Sequence, residues 1–150
     1  MEKNPEIRKL LARITITELP EDYTVVSIDR KEEEKSRQLF SHFTPFFSIT
    51  FESHEVSVVA KTQEWVKTQK YFSAFIEESP FRVITFDTVL DLNIIGFMAV
   101  IASNLALIAV PIYPVSTFLR DHIVVKKKDT QKAVDSLRHM FKECADEYNY

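Results

Sequence analysis

Glycine is almost missing from this chain: Gly96 is the only one in 150 residues. Loops that cradle phosphate need several glycines, because backbone N–H groups must approach the ligand closely. A P-loop and a dinucleotide fingerprint are therefore excluded. The Asn-Gly and Asp-Gly pairs of the tightest hairpins are missing too. Cysteine is equally scarce, and Cys144 alone cannot form an intrachain disulfide. The segment Met1–Pro5 is polar and lacks the apolar stretch of a secretory signal. Together these point to a reducing, cytoplasmic setting. Charge of neither sign dominates: 19 Lys and Arg face 22 Asp and Glu, a net charge of -3. A nucleic-acid binder would carry a basic surplus, so nucleic acid is not an expected partner.

Metal and catalytic signals are also lacking. His42, His54, His122 and His139 have no partner at ligand spacing, and Cys144 lies off the helical face of His139. No metal and no cofactor are expected. No serine, cysteine or lysine has an activating neighbourhood, which argues against nucleophilic catalysis. What remains is an ordinary globular composition, 45% hydrophobic and 27% charged, sufficient for one core or two small ones.

Periodicity supplies the elements. Residues 1–9 read as a tail or short helix. Arg13–Leu19 alternates as a half-buried strand closed by Pro20, and Tyr23–Ile28 is a β-branched strand. A short helix over Lys31–Phe43 stops before Pro45. Strands Phe46–Phe51 and Glu55–Ala60 flank a turn at Glu52–His54. A helix over Gln63–Phe75 is followed by a break at Pro80. Phe81–Val89 is a strand, and Asp91 or Asn93 caps a helix from Ile94 to Ala109. Ile112–Phe118 reads as a strand buried on both faces, turning at Leu119–Asp121 into His122–Lys126. Asp129 or Thr130 caps a last helix over Gln131–Glu147, with a stripe of Ala133, Val134, Leu137, Met140 and Phe141.

Leu92–Leu119 carries no charged residue and is long enough to span a bilayer. Asn104, Pro111 and Pro114 within it, and the strand partner just beyond it, favour a buried helix feeding a strand instead. No membrane is expected. The chain also repeats itself. At an offset of 67, Thr50, Phe51, Val56 and Val58 correspond to Thr117, Phe118, Ile123 and Val125. Each copy is strand, polar turn, strand, polar segment and helix, which reads as a duplicated βαββ-type unit.

Phe46-Phe47-Ser48-Ile49-Thr50 and Glu55-Val56-Ser57-Val58-Val59 resemble the first signature of the tandem ACT proteins of the aspartokinase-like group. Asp91-Leu92-Asn93-Ile94-Ile95-Gly96-Phe97-Met98-Ala99, leading to Val115-Ser116-Thr117-Phe118-Leu119-Arg120-Asp121-His122, resembles the second. The latter segment is similar to the eukaryotic cytosolic arginine sensors that act upstream of TOR complex 1. The resemblance implies an α+β fold of two tandem ACT-like, ferredoxin-like βαββαβ units, with antiparallel sheets and helices on one side. The units are expected at 10–79 and 80–150, with strands free to interleave. It implies a non-enzymatic regulator that binds a small ligand, an amino acid, at an interface between ACT units and modulates a partner protein. The positions it marks for ligand binding are Gly96, Ile112, Thr117, Phe118 and Asp121.

Three positions depart from the sensors' pattern: Ile94 where one has an acidic residue, Pro111 at a serine ligand position, and Ala109 where glycine is usual. These changes remove polar groups from the expected pocket and argue against arginine itself. The length suffices for two ACT-like units rather than four, so a complete pocket would need a homodimer or a paralogous partner. The rival reading is an ACT-type protein–protein assembly module without a small-molecule ligand.

Overall fold

The computed structural model describes residues 4–148. The fold is α+β, built on antiparallel strand pairs. The chain divides into two compact units. One is the inserted stretch Pro20–Arg82. The other joins the residues up to Leu19 with those from Val83 onward. Residues 10–19, expected in the first unit, thus lie in the second, because their strand pairs with residues some seventy positions later, as Ile16 opposite Phe86 shows.

In the inserted unit the order is β2 (Tyr23–Asp29), α2 (Glu33–Leu39, flanked by single 3-10 turns), β3 (Ser48–Phe51), β4 (Glu55–Lys61), α3 (Thr62–Thr68) and the first part of β5 (Phe75–Phe86). Its strands lie in the order β3-β4-β2-β5. Val26 and Ile28 of β2 and Val56 and Val58 of β4 point to one face, as alternation requires. There they meet Phe40, Trp65 and Phe72. The helix over Gln63–Phe75 is shorter than expected. It gives way to a 3-10 turn over Gln69–Tyr71, and Phe75 already belongs to β5. Pro80 lies inside that strand and does not break it. The pairing of β5 with β2 shifts register between Tyr23 and Val25, opposite Phe81 and Glu78. The proline falls at this irregularity, where no ladder N–H is needed.

The other unit contains α1 (Pro5–Leu11), β1 (Ile16–Glu18), the end of β5, α4 (Phe97–Leu107), β6 (Tyr113–Ser116), β7 (Asp121–Lys126) and α5 (Thr130–Tyr148). Its strand order is β1 beside β5, then β7, then β6. Ile84, Phe86, Ile123 and Val125 form the sheet side of its core. Ile101 and Leu105 of α4, and Ala133, Val134, Leu137, Met140 and Phe141 of α5, form the helix side. The α5 stripe is buried as its period predicts. The strand buried on both faces is β7, where His122, Ile123, Val124 and Val125 are all covered. β6 is an edge strand whose residues are mostly exposed. Apolar composition alone does not separate a central strand from an edge, and Pro114 suits the edge because it has no N–H to pair. No described helix is long and apolar enough to cross a membrane.

α4 ends at Leu107 rather than Ala109. Ala109 adopts φ 56, the Ala109 N–H donates to Ala106 O at 3.0 Å, and the Val110 N–H donates to Leu105 O at 3.0 Å. This is the paired-bond helix ending that normally employs glycine. Alanine in the left-handed region is strained by its Cβ. Ala109→Gly is therefore expected to stabilise the protein by about 0.5–1 kcal/mol, a gain that a urea midpoint would register.

Candidate functional site: a cavity under the strand-to-helix loop

In the unit made from the chain's two ends, β5 does not run straight into α4. Residues 87–96 intervene, and their fold is set by short polar contacts. Asp91 Oδ1 accepts from the backbone N–H and the side-chain amide of Asn93, each at 2.8 Å. The Ile94 N–H donates to Asp91 O at 3.0 Å. Asp91 thus builds the loop and does not cap the helix. The N-cap is Gly96, at φ 90, with no side-chain hydrogen bond. Few residues other than glycine take that φ cheaply, which accounts for the chain's one glycine. A Cβ built there would meet nothing within 4 Å, so the backbone conformation, not crowding, requires it.

The loop is tied to the β6–β7 turn by the Leu90 N–H, which donates to Leu119 O at 2.8 Å. The turn spans Thr117–Arg120: the Thr117 N–H donates to Arg120 O at 2.8 Å, and its hydroxyl donates to the same oxygen at 3.0 Å. Asp121 is therefore the first residue of β7, not a turn residue. It shares parity with Ile123 and Val125, so its carboxylate faces the helix side, beneath the loop.

Loop and turn enclose a cavity of about 160 Å³ lined by Leu90, Asp91, Leu92, Ile94, Phe97, Ser116, Thr117, Phe118 and Asp121. Of the positions marked from the sequence, Thr117, Phe118 and Asp121 come together here. Gly96 caps the helix that supplies Phe97 without lining the cavity. Ile112 packs against the core instead. Sequence reasoning missed Asp91 as a wall residue, having read it as a cap. The signal was the polar Asp91-Leu92-Asn93 segment, which interrupts the apolar run.

The chemistry is two-sided. Asp91 and Asp121 present carboxylates, and Asp121 makes no side-chain hydrogen bond or ion pair among the described residues. Phe97, the first residue of α4, also lines the cavity, and that helix start has no side-chain cap, the kind of end at which first-turn N–H groups and the helix dipole favour an anion. Leu90, Leu92, Ile94, Phe97 and Phe118 give apolar walls. The volume is below the roughly 300–1,000 Å³ of sites for drug-sized ligands and suits a small molecule. Behind the cavity, His122 points to the opposite sheet face, with Nδ1 2.9 Å from the Thr85 hydroxyl. Burial pushes its imidazole below the usual range. Arg120 adds to this, and Asp121 and Asp87 oppose it. Among the described residues no group of three or more His, Cys, Asp and Glu side chains could hold a metal.

Residues 77–139 match the ACT domain family. The fold is similar to that of a Vibrio cholerae protein of unknown function described as a possible transport protein. That pair is 18% identical, with a TM-score of 0.70 over 91% of this chain and 96% of that one. It is similar to an Agrobacterium tumefaciens protein at 22% identity and a TM-score of 0.71, covering 86% of this chain and 90% of that one. It is similar also to the ligand-free regulatory subunit of aspartate kinase from Thermus thermophilus. Here identity is 9% and the TM-score 0.65, over 85% of this chain and 97% of that one. A comparison with curated protein sequences gives no significant match.

Proposed function

We propose that this chain is a non-enzymatic regulatory protein of the tandem ACT type that binds a free amino acid in the cavity beneath residues 87–96. The observation that carries the reading is a small, partly apolar cavity lined both by Asp121, which has no side-chain hydrogen bond or ion pair among the described residues, and by Phe97, the first residue of a helix without a side-chain cap. An amino acid has the matching charges: an ammonium for the carboxylates and a carboxylate for the helix N–H groups. The ACT match and the likeness to an aspartate kinase regulatory subunit support the same direction.

Both units support the tandem ferredoxin-like description. The inserted one runs β-α-β-β-α-β in chain order, and the other has the same strand arrangement, with β1 from the N-terminal side in the fourth strand's place. Around the cavity mouth Leu92, Ile95, Phe118 and Leu119 are exposed. In this reading a second copy of the chain covers that rim. Ligand binding then stabilises the dimer by mass action and alters what a regulated partner meets.

The test is a thermal-shift screen of the purified protein against the twenty amino acids, repeated on Asp121→Asn. One amino acid is expected to raise Tm saturably, and the variant to lose affinity by about tenfold or more, the scale of a charge-assisted contact. The variant's own Tm should stay near the parent's, because Asp121 holds nothing else in place. A flat screen of the folded parent would overturn the proposal in favour of an assembly module without a ligand.

A further inference from the structure

The lining of the cavity beneath residues 87–96 discriminates among side chains. Its charge is of one sign: Asp91 and Asp121 line it, and among the described residues no Lys, Arg or His does. The two carboxylates are not equivalent. Asp91 Oδ1 already accepts from the backbone N–H and the side-chain amide of Asn93, each at 2.8 Å. Asp121 makes no side-chain hydrogen bond or ion pair among the described residues, so it is the carboxylate open to a ligand's ammonium group. The Thr117 hydroxyl is occupied within its own turn, donating to Arg120 O at 3.0 Å and accepting from the Arg120 N–H at 3.3 Å. Ser116 is the other hydroxyl of the lining. The remaining surface is apolar. Leu90 and Phe97 are buried, and the Phe97 ring stands edge to face with that of Phe86 at 5.2 Å, which fixes this wall. Ile94 lines the cavity from the loop and packs against the same core.

Each class of side chain meets this lining differently. An acidic one faces two carboxylates and no cation. A basic one brings a second positive charge out of water, and the carboxylate left for it has one oxygen committed to the loop. An amide sets polar atoms against Leu90, Ile94 and Phe97 without partners. A branched aliphatic side chain incurs none of these costs and gains by leaving water. Size agrees. The volume of about 160 Å³ is roughly five times a water molecule's ~30 Å³ share of the liquid, a space for an aliphatic amino acid and not for an indole. We infer that the site selects a branched aliphatic amino acid, of the class of leucine, isoleucine and valine, with Asp121 holding its ammonium group and Ile94 and Phe97 contacting its side chain. This rests on the amino-acid reading of the same cavity and narrows it. Ile94 is the residue that sets the size limit, because it belongs to the loop and is only half-buried, whereas Phe97 is part of the core.

The experiment is a titration of the 15N-labelled protein, followed at the amides of Ile94, Thr117 and Asp121. The probes are L-leucine, its amide isostere L-asparagine, L-alanine, L-glutamate, and the pair L-norleucine and L-lysine, which share one carbon stem and differ by an ammonium group. Leucine should shift these amides saturably, with half-saturation at least about tenfold below that of alanine or asparagine. Norleucine should precede lysine by a similar factor, and glutamate should produce no saturable shift. In Ile94→Ala the ratio of half-saturation for L-phenylalanine to that for leucine should fall by about tenfold or more against the parent. If that variant loses its dispersed spectrum, Ile94→Val provides the same comparison with a smaller change in the ratio. Lysine, glutamate or asparagine binding as tightly as leucine would overturn the inference and leave the amino-acid reading standing. An unchanged ratio in the folded Ile94 variants would overturn the part given to Ile94. If none of the twenty amino acids moves these amides, the amino-acid reading itself fails and takes this inference with it.

Discussion

Trp65→Ala is expected to destabilise the protein by about 3–5 kcal/mol, the usual cost of truncating a fully buried large aromatic side chain. Trp65 is the chain's one tryptophan and is 1% exposed. Its ring lies 5.1 Å from that of Phe75, edge to face, and 5.8 Å from that of Phe72. Phe40, 6.3 Å away, joins it to the helix α2 side of the same core. The substitution thus opens a cavity where α3, α2 and the sheet meet. The rings around it are flat and rigid, so collapse into the space is incomplete and the cavity cost remains. The indole N–H also donates to the Glu77 carboxylate. Trp65→Phe separates the two contributions. It keeps most of the volume, loses the hydrogen bond, and is expected to cost about 1–2 kcal/mol. Urea unfolding followed by far-UV circular dichroism reads both, since both variants lose the chain's one tryptophan fluorophore. Equal losses for the two variants would mean that the hydrogen bond, not packing, holds this corner.

Much of that core was legible from residue patterns. Val26, Ile28, Val56 and Val58 alternate as strand residues should, and the α5 stripe repeats at the helical period. These signals are local, and the long-range pairing they leave unspecified is where expectation and structure part. Nothing near Ile16 says that it faces Phe86 rather than a strand of its own neighbourhood. Pro80 reads as a break because proline removes a ladder donor, yet a register shift in β5 accommodates it. Around the candidate site the apolar residues Ile94 and Ile95 extend the helical pattern backward over what is a loop. The helix starts only after Gly96, whose left-handed φ is a backbone property that hydrophobic spacing does not report. Thr117, Phe118 and Asp121 were found through resemblance. Leu90, Asp91 and Phe97 became wall residues only once the loop path was known.

Glu32→Gln is expected to lower stability by about 2–3 kcal/mol at neutral pH and to remove a step from the acid-unfolding profile. Glu32 opens the acidic run Glu32-Glu33-Glu34, and carboxylates so clustered ordinarily lie in solvent. The residue is instead only 8% exposed. Oε1 accepts from the Ser73 N–H at 3.1 Å and from Lys35 Nζ at 3.0 Å, and Oε2 accepts from the Ala74 N–H at 3.0 Å. The carboxylate thus pins the start of α2 to the segment entering β5. Burial by itself would raise its pKa. The Ser73 and Ala74 N–H groups, with Lys35 and the Ser73 hydroxyl, outweigh that and bring it from 4.5 to about 2. A depressed carboxyl stabilises the fold only while ionised. Its contribution is complete above the unfolded value of 4.5 and is lost as pH falls toward 2. Linkage bounds it at about 3 kcal/mol, and solvent on the Lys35 side trims this toward about 2 kcal/mol. Glutamine has nearly the same size but only one acceptor oxygen, and its amide would face a backbone N–H. Urea midpoints for parent and variant at neutral, mildly acidic and strongly acidic pH read the effect. The gap between them should be widest at neutral pH, narrow below pH 5 and close near pH 2, where the parent's carboxyl is itself neutral. A gap that stays constant across this range would show that shape, not charge, makes Glu32 matter.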